Sequence, residues 1–291
     1  MGGLAKAANR RLGRHLSPAA RKRLAAVVGG RAFGWYRRRR TDAYLVSFPK
    51  CGRTWVRLLL ARSLQRHFDL PADADLVEVH RLAELDARVP CVFATHDDDA
   101  QRKTPEHVER DKQRYRRHRV ILLVRDPRDV IVSLYFQKRD RRGAYDGSIA
   151  EFLDEPEGGF SSLLAFYDAW ADSVDVPAAV LVVRYEDLHA RTGDELRRML
   201  DFIGVTGVAD GVVNEAVAFA SFDNMRRMEE AGALGSERLR PGRPGDFDTY
   251  KTRRGRVGGY RDELTADQVA RLDATMAASR VDRLGYHADP S

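Results

Sequence analysis

A short apolar run, Ala43 to Phe48, opens directly into Pro49-Lys50-Cys51-Gly52-Arg53-Thr54 and then into an apolar helical stretch, Trp55 to Gln65. No other feature restricts the possible folds as strongly. A buried strand, a glycine-containing turn and a mostly buried helix form the supersecondary unit of a phosphate-binding loop. A helix start presents unpaired N–H groups and the positive end of a dipole, and glycine lets the backbone curl around an anion. Apolar patterning predicts core strands at 43–48, 90–95, 119–124 and 179–184. Helices are predicted at 54–66, 127–139, 160–173, 192–203, 210–219 and 265–278, the last behind a Thr265-x-x-Gln268 capping box. Strands alternating with helices imply an α/β fold: a three-layer, P-loop-like domain with a mostly parallel central sheet flanked by helices.

The loop departs from the nucleoside-triphosphatase pattern G-x-x-x-x-G-K-S/T. Ser47 replaces its first glycine and Arg53 its lysine, while Gly52 and Thr54 fit. A triphosphatase also needs an acid at the tip of a later strand to hold magnesium, yet the run Val120 to Val124 ends in Arg125. A cation at a strand's C-terminal end suits an anionic ligand. Pro127 then occupies a favoured first helical position behind Asp126 as N-cap, and Ser133 lies two turns along.

The 291 residues carry a formal net charge of +7, but the excess is local. Residues 1–41 hold twelve Lys/Arg and no acid, leaving 38 bases against 43 acids in residues 42–291. The expected organisation is a basic N-terminal arm, 1–41, and one domain, 42–291. The arm reads either as a solvated appendage or as a contact for an anionic membrane surface or polyanion. There is no apolar run of 18 residues, so no spanning helix is expected. Two cysteines and eight histidines show no zinc-type spacing, so no metal is expected. A cytoplasmic location is expected, peripheral on the inner membrane face if the arm binds lipid, and no nucleic-acid partner.

The segment Ser47 to Trp55 resembles the 5′-phosphosulfate loop of PAPS-dependent sulfotransferases: Ser or Thr, an aromatic residue, then P-K-S-G-T-T-W. Cys51 stands for its serine and Arg53 for its first threonine. A second family element, an Arg followed eight residues later by a Ser, matches Arg125-Asp126-Pro127-Arg128-Asp129 and Ser133. A third, R-K-G-x-x-G, is matched more loosely by Arg253-Arg254-Gly255-Arg256-Val257-Gly258. Tyr185-Glu186-Asp187 resembles a strand-end Y-E-D, and Ser221-Phe222-Asp223-Asn224-Met225 an S-F-x-x-M segment, with Ala220 where the family often has Thr.

The resemblance implies sulfuryl transfer from PAPS (3′-phosphoadenosine 5′-phosphosulfate) to a hydroxyl or amine of a small-molecule, lipid or glycan acceptor. It assigns Lys50, Cys51, Gly52, Arg53, Thr54, Trp55, Arg125, Ser133, Tyr185, Ser221, Phe222, Met225, Arg253, Arg254 and Gly255 to the nucleotide. Lys50 also faces the leaving phosphate. For the base, the family's K-T-H is met by Ala94-Thr95-His96; His96 is the candidate, with Asp97 as rival and His80 beside Glu78 as a distant alternative. Cys51, near a helix start and two bases, is expected to be a low-pKa, reactive thiol. Residues 229–252, rich in Gly and Pro, are expected to form a lid. A phosphotransferase with a degenerate P-loop and a non-catalytic polyanion-binding protein are the competing classes.

Overall fold

The computed structural model describes residues 41–232, 249, 250, 252 and 255–287. Residues 1–40 of the basic arm, Arg253, Arg254 and most of the expected lid lie outside the described residues.

Strand β1 (Ala43–Val46) is buried on both faces, and Ser47 and Phe48 leave the ladder to begin the loop while staying fully buried. Helix α1 (Arg53–His67) follows, buried over most of its circumference. Strand β2 (Val92–Thr95) comes next, then β3 (Arg119–Val124) and α2 (Pro127–Phe136). The Asp126 carboxylate accepts the Arg128 N–H at 2.9 Å, and Pro127 takes the first helical position, as the sequence pattern predicts. Instead of reaching residue 139 as α-helix, α2 passes into a π-turn over Gln137–Arg141.

A short α3 (Ile149–Leu153) is closed by a Ser148/Glu151 capping box, and α4 (Phe160–Ala171) carries the buried Phe166, Tyr167 and Trp170. After β4 (Ala179–Arg184) come α5 (Tyr185–Ala190), α6 (Thr192–Phe202), α7 (Asp210–Phe219) and α8 (Phe222–Glu230). Helix α9 (Ala266–Ala277) starts at the expected Thr265/Gln268 capping box.

The four described strands are parallel, in the order β2-β1-β3-β4, with Val46 level with Thr95 and Leu122, and Val124 level with Arg184. Continuous apolar runs suit strands covered on both sides. The helices fall into two packing groups: α1 contacts α6 and α7, whereas α2 contacts α3 and α4. The order matters for function. The chain steps from β1 to one neighbour and then crosses to the other, and ligands in open parallel sheets bind outside the strand C-termini at such a switch point.

Candidate active site

Each strand ends in a residue singled out by the sequence. Ser47 to Thr54 follow β1, His96 follows β2, Arg125 follows β3 and Tyr185 follows β4. Of these, Pro49, Lys50, Gly52, Arg53, Thr54, His96, Arg125 and Tyr185 border one cleft of about 1140 Å³. That exceeds the roughly 300–1,000 Å³ of a site for one small molecule, leaving room for a nucleotide and a second ligand.

The loop is shaped by two left-handed residues, Lys50 (φ 74°) and Gly52 (φ 93°). Positive-φ residues in such a turn direct loop N–H groups toward a concavity, which favours an anion. Helix α1 starts there with no acid in its first turn. Gly52 is required on two counts: its φ, and the Tyr185 ring, whose Cδ2 would sit 2.8 Å from an added Cβ. Lys50, Gly52, Arg53, Thr54 and Trp55 line the cleft.

Cys51 corrects the sequence reading. Its side chain does not line the cleft; flanked by the two left-handed residues, it points into the core, with no exposed surface and Sγ 3.5 Å from the Tyr167 hydroxyl. That hydroxyl donates to the Arg125 carbonyl at 2.7 Å and accepts the Arg125 N–H at 3.0 Å, so the thiol is left to donate. Burial pushes the thiol pKa up to about 12, against smaller lowering by Tyr167 and Arg125. The expected reactive thiol is instead an inert packing group that joins the loop to the end of β3.

Arg125 is mostly buried. Its Nη1 donates to the Lys50 carbonyl at 3.3 Å, its Nη2 to the Arg256 carbonyl at 2.9 Å, and it pairs with Asp129 at 3.3 Å. The guanidinium also lies 4.4 Å from the Tyr185 ring centroid, while Nε is buried without a hydrogen-bond partner. Asp129 in turn accepts the N–H groups of Gly258 and Tyr260 at 2.9 and 3.0 Å. One arginine thus ties the phosphate loop to α2 and to the chain around Arg256. Ser133, two turns along α2, lines the same cleft.

His96 and Asp97 have opposite fates. The Nδ1 of His96 lies 2.9 Å from the Ser47 carbonyl oxygen, which can only accept. Nδ1 therefore carries a hydrogen, and in the neutral form of the ring the lone pair lies on Nε2. Asp97 is buried away from the cleft. Its carboxylate pairs with Lys112 at 2.9 Å and with Arg114, and accepts from the Tyr115 hydroxyl at 2.7 Å and Trp170 Nε1 at 2.8 Å. Burial pushes its pKa up, but Lys112, Arg114 and Tyr115 pull it further down, so the net shift is below the usual carboxylate range. A carboxylate so enclosed is no rival base. His80, packed on Phe93 and 3.7 Å from Glu78, is not among the cleft-lining residues either.

The far end of the cleft is aromatic. Trp55 meets the Tyr185 ring edge-on at 5.7 Å and His189 at 6.3 Å, and Val217, Phe222 and Met225 complete the wall. Gly255 lies against Phe222, where a Cβ would approach to 2.5 Å. Ser221 lines this end too, but its hydroxyl caps α8 by accepting the Asn224 N–H at 3.4 Å. Sequence reasoning missed His189 and Thr192. The available signal was helical spacing: His189 is one turn after Tyr185 on α5 and so shares its face.

Comparison with known proteins points to one family. Residues 40–285 match the family model described as "Sulfotransferase domain". A flavonol 4′-sulfotransferase of Flaveria chlorifolia is 24% identical, over 84% of this chain and 82% of its own length. Cytosolic sulfotransferase 10 of Arabidopsis thaliana is 23% identical, over 80% and 76%. Among solved structures, a mouse sulfotransferase complexed with PAP superposes with a TM-score of 0.57 at 21% identity, covering 82% of this chain and 84% of that one. A retinol dehydratase in complex with androsterone and PAP gives 0.56 at 16% identity, covering 86% and 82%.

Proposed function

This chain belongs to the sulfotransferase family, and from that premise we propose that it moves a sulfuryl group from PAPS to an acceptor hydroxyl or amine, releasing adenosine 3′,5′-bisphosphate (PAP). The observation that carries this reading is convergence at the switch point. The phosphate loop, Arg125 with Ser133, an aromatic wall and a tautomer-fixed His96 border one cleft. The residues fit the nucleotide: a loop with two left-handed residues for the 5′-phosphosulfate, a mostly buried arginine with an unsatisfied Nε, and aromatic faces for a base.

When bound, PAPS supplies an activated sulfur on a phosphate leaving group. Loop N–H groups and Lys50 hold that phosphate and neutralise the charge growing on it. Arg125 and Ser133 take the 3′-phosphate, and Trp55, Phe222 and Met225 take the adenine. His96 Nε2 accepts the acceptor's proton as the new O–S or N–S bond forms, and its Nδ1–H···O=C bond to Ser47 keeps the ring aimed. Asp97 holds no proton in this scheme.

The experiment is a PAP titration of the wild type and Arg125→Ala. Loss of a charge-assisted hydrogen bond, about 1.5–3 kcal/mol, weakens PAP roughly ten- to a hundred-fold. Adenosine 5′-phosphate, lacking the 3′-phosphate, is expected to lose far less. Equal losses for both nucleotides would remove Arg125 from the 3′-phosphate.

The body acts as one domain over 42–291, with residues 1–41 as a separate basic arm. The arm's segregated charge favours an anionic membrane surface, and the protein is cytoplasmic and peripheral in this reading. No helix among the described residues is long and apolar enough to cross a membrane. Sedimentation with acidic liposomes, expected to disappear at high salt, tests the arm.

A further inference from the structure

The cleft lining is chemically mixed. The wall around Trp55, Val217, Phe222 and Met225 is apolar and aromatic. Besides His96, the polar lining residues include Asp98, Asp99, Gln101, Arg102, Gln137 and Arg142. They come from two places, the turn after β2 and the π-turn that ends α2. Lys138, next to Gln137, registers their approach. Burial lowers its ammonium pKa, Glu155 and Glu157 raise it, and Arg102 and Arg142 lower it again. Guanidinium groups from both elements therefore lie within electrostatic reach of one ammonium.

The turn after β2 is held in place by its own contacts. Three consecutive left-handed residues, Asp97 (φ 48°), Asp98 (φ 75°) and Asp99 (φ 56°), turn the chain sharply after His96. Buried Gln101 donates to Asp99 Oδ1 at 2.7 Å, Arg102 Nε lies 3.1 Å from Asp99 Oδ2, and Lys103 pairs with Asp98. Each carboxylate keeps lone pairs beyond these bonds. Gln137 follows Ser133 by one helical turn and faces the same cleft. Neither the Gln137 amide nor the Arg142 guanidinium has a side-chain hydrogen bond or ion pair among the described residues.

Fixed carboxylates, a guanidinium and an amide make a poor wall for a flat phenol or a sterol. Such a ligand would strip water from these groups and return no hydrogen bonds. A molecule with several hydroxyls has the opposite fit, because each hydroxyl donates to a carboxylate and accepts from a guanidinium or amide. Resting on the sulfuryl-transfer reading of this cleft, we propose that the acceptor is a polyhydroxylated molecule of carbohydrate type. Asp98, Asp99, Gln137 and Arg142 bind its hydroxyls while one further hydroxyl is presented to His96 Nε2.

The test uses the full chain with labelled PAPS and four acceptors: maltotriose, octyl glucoside, 2-naphthol and cholesterol in micelles. The first two distinguish a free sugar from a lipid-borne one. Expected is a kcat/KM for at least one sugar at least about tenfold above both apolar acceptors. Gln137→Leu and Arg142→Ala should each lower the sugar value by about tenfold while PAP affinity, measured by titration, stays unchanged. Transfer to 2-naphthol or cholesterol equal to or above that to sugar overturns the inference. So does absence of sugar transfer by a protein that binds PAP, or unchanged sugar kinetics in both variants. A protein that binds no PAP overturns the sulfotransferase reading itself, and this inference with it.

Discussion

The Nδ1 of His96 lies 2.9 Å from the backbone carbonyl of Ser47, so the end of edge strand β2 is tied to the start of the phosphate loop. One hydrogen bond sets the ring's tautomer and its position relative to Lys50. His96→Ala is expected to lower turnover by on the order of 10²–10⁴ with little change in PAP affinity. His96→Asn can still donate to the Ser47 carbonyl but cannot take a proton, so it should be as slow as His96→Ala. Normal single-turnover rates for the Asn variant would show that the ring is not the base.

Asp97 is a structural anchor under the same strand end. Asp97→Asn leaves Lys112, which has no exposed side-chain surface, without its counter-charge; the expected loss is about 3–5 kcal/mol in urea unfolding. The wild type should also be acid-sensitive through this group. Its folded pKa is depressed below the unfolded value of about 3.9, so the stabilisation is present above that pH and is lost as pH falls through the folded value. Urea midpoints from pH 7 to pH 2 should fall more steeply below about pH 4 for the wild type than for Asp97→Asn. Parallel curves would contradict the assignment.

Alkylation should reverse the order that the sequence suggests. Cys51 is buried with its pKa pushed up to about 12, whereas Cys91 is partly exposed. Maleimide is expected to modify Cys91 first, and Cys51 only on unfolding, with no protection by PAP. Peptide mass spectrometry over a labelling time course reads the outcome, and nucleotide-sensitive labelling of Cys51 would refute it.

Gly52→Ala combines a left-handed φ of 93° with a Cβ 2.8 Å from the Tyr185 ring. The backbone penalty alone is about 1–2 kcal/mol, and relief of the clash must move either the loop or Tyr185. Both a lower Tm and at least about tenfold weaker PAP binding are expected. Calorimetry that found an unchanged Kd would mean the loop's shape is not what binds phosphate.

Local patterning alone was enough to locate the candidate site. Predicted strands ending at 48, 95, 124 and 184, followed by Pro49 to Thr54, His96, Arg125 and Tyr185, were enough to place four groups at four strand ends, although the first strand ends two residues earlier, at Val46. Strand and helix periodicities are local, and parallel strands must present their C-terminal ends on one side. Tertiary structure decided which way the loop side chains turn. Cys51 sits in the anion loop by sequence, yet its left-handed neighbours turn it inward onto Tyr167, a residue 116 positions away. Asp97 differs from His96 by one position, and only the arrival of Lys112, Arg114, Tyr115 and Trp170 buries it while His96 stays at the cleft. Likewise, Gln137 and Arg142 line the same cleft as Asp98 and Asp99, although they come from segments far apart in the chain. Local patterning fixes which residues lie at an element's end; side-chain direction at a positive-φ turn, and its partners, depend on segments far away in the chain.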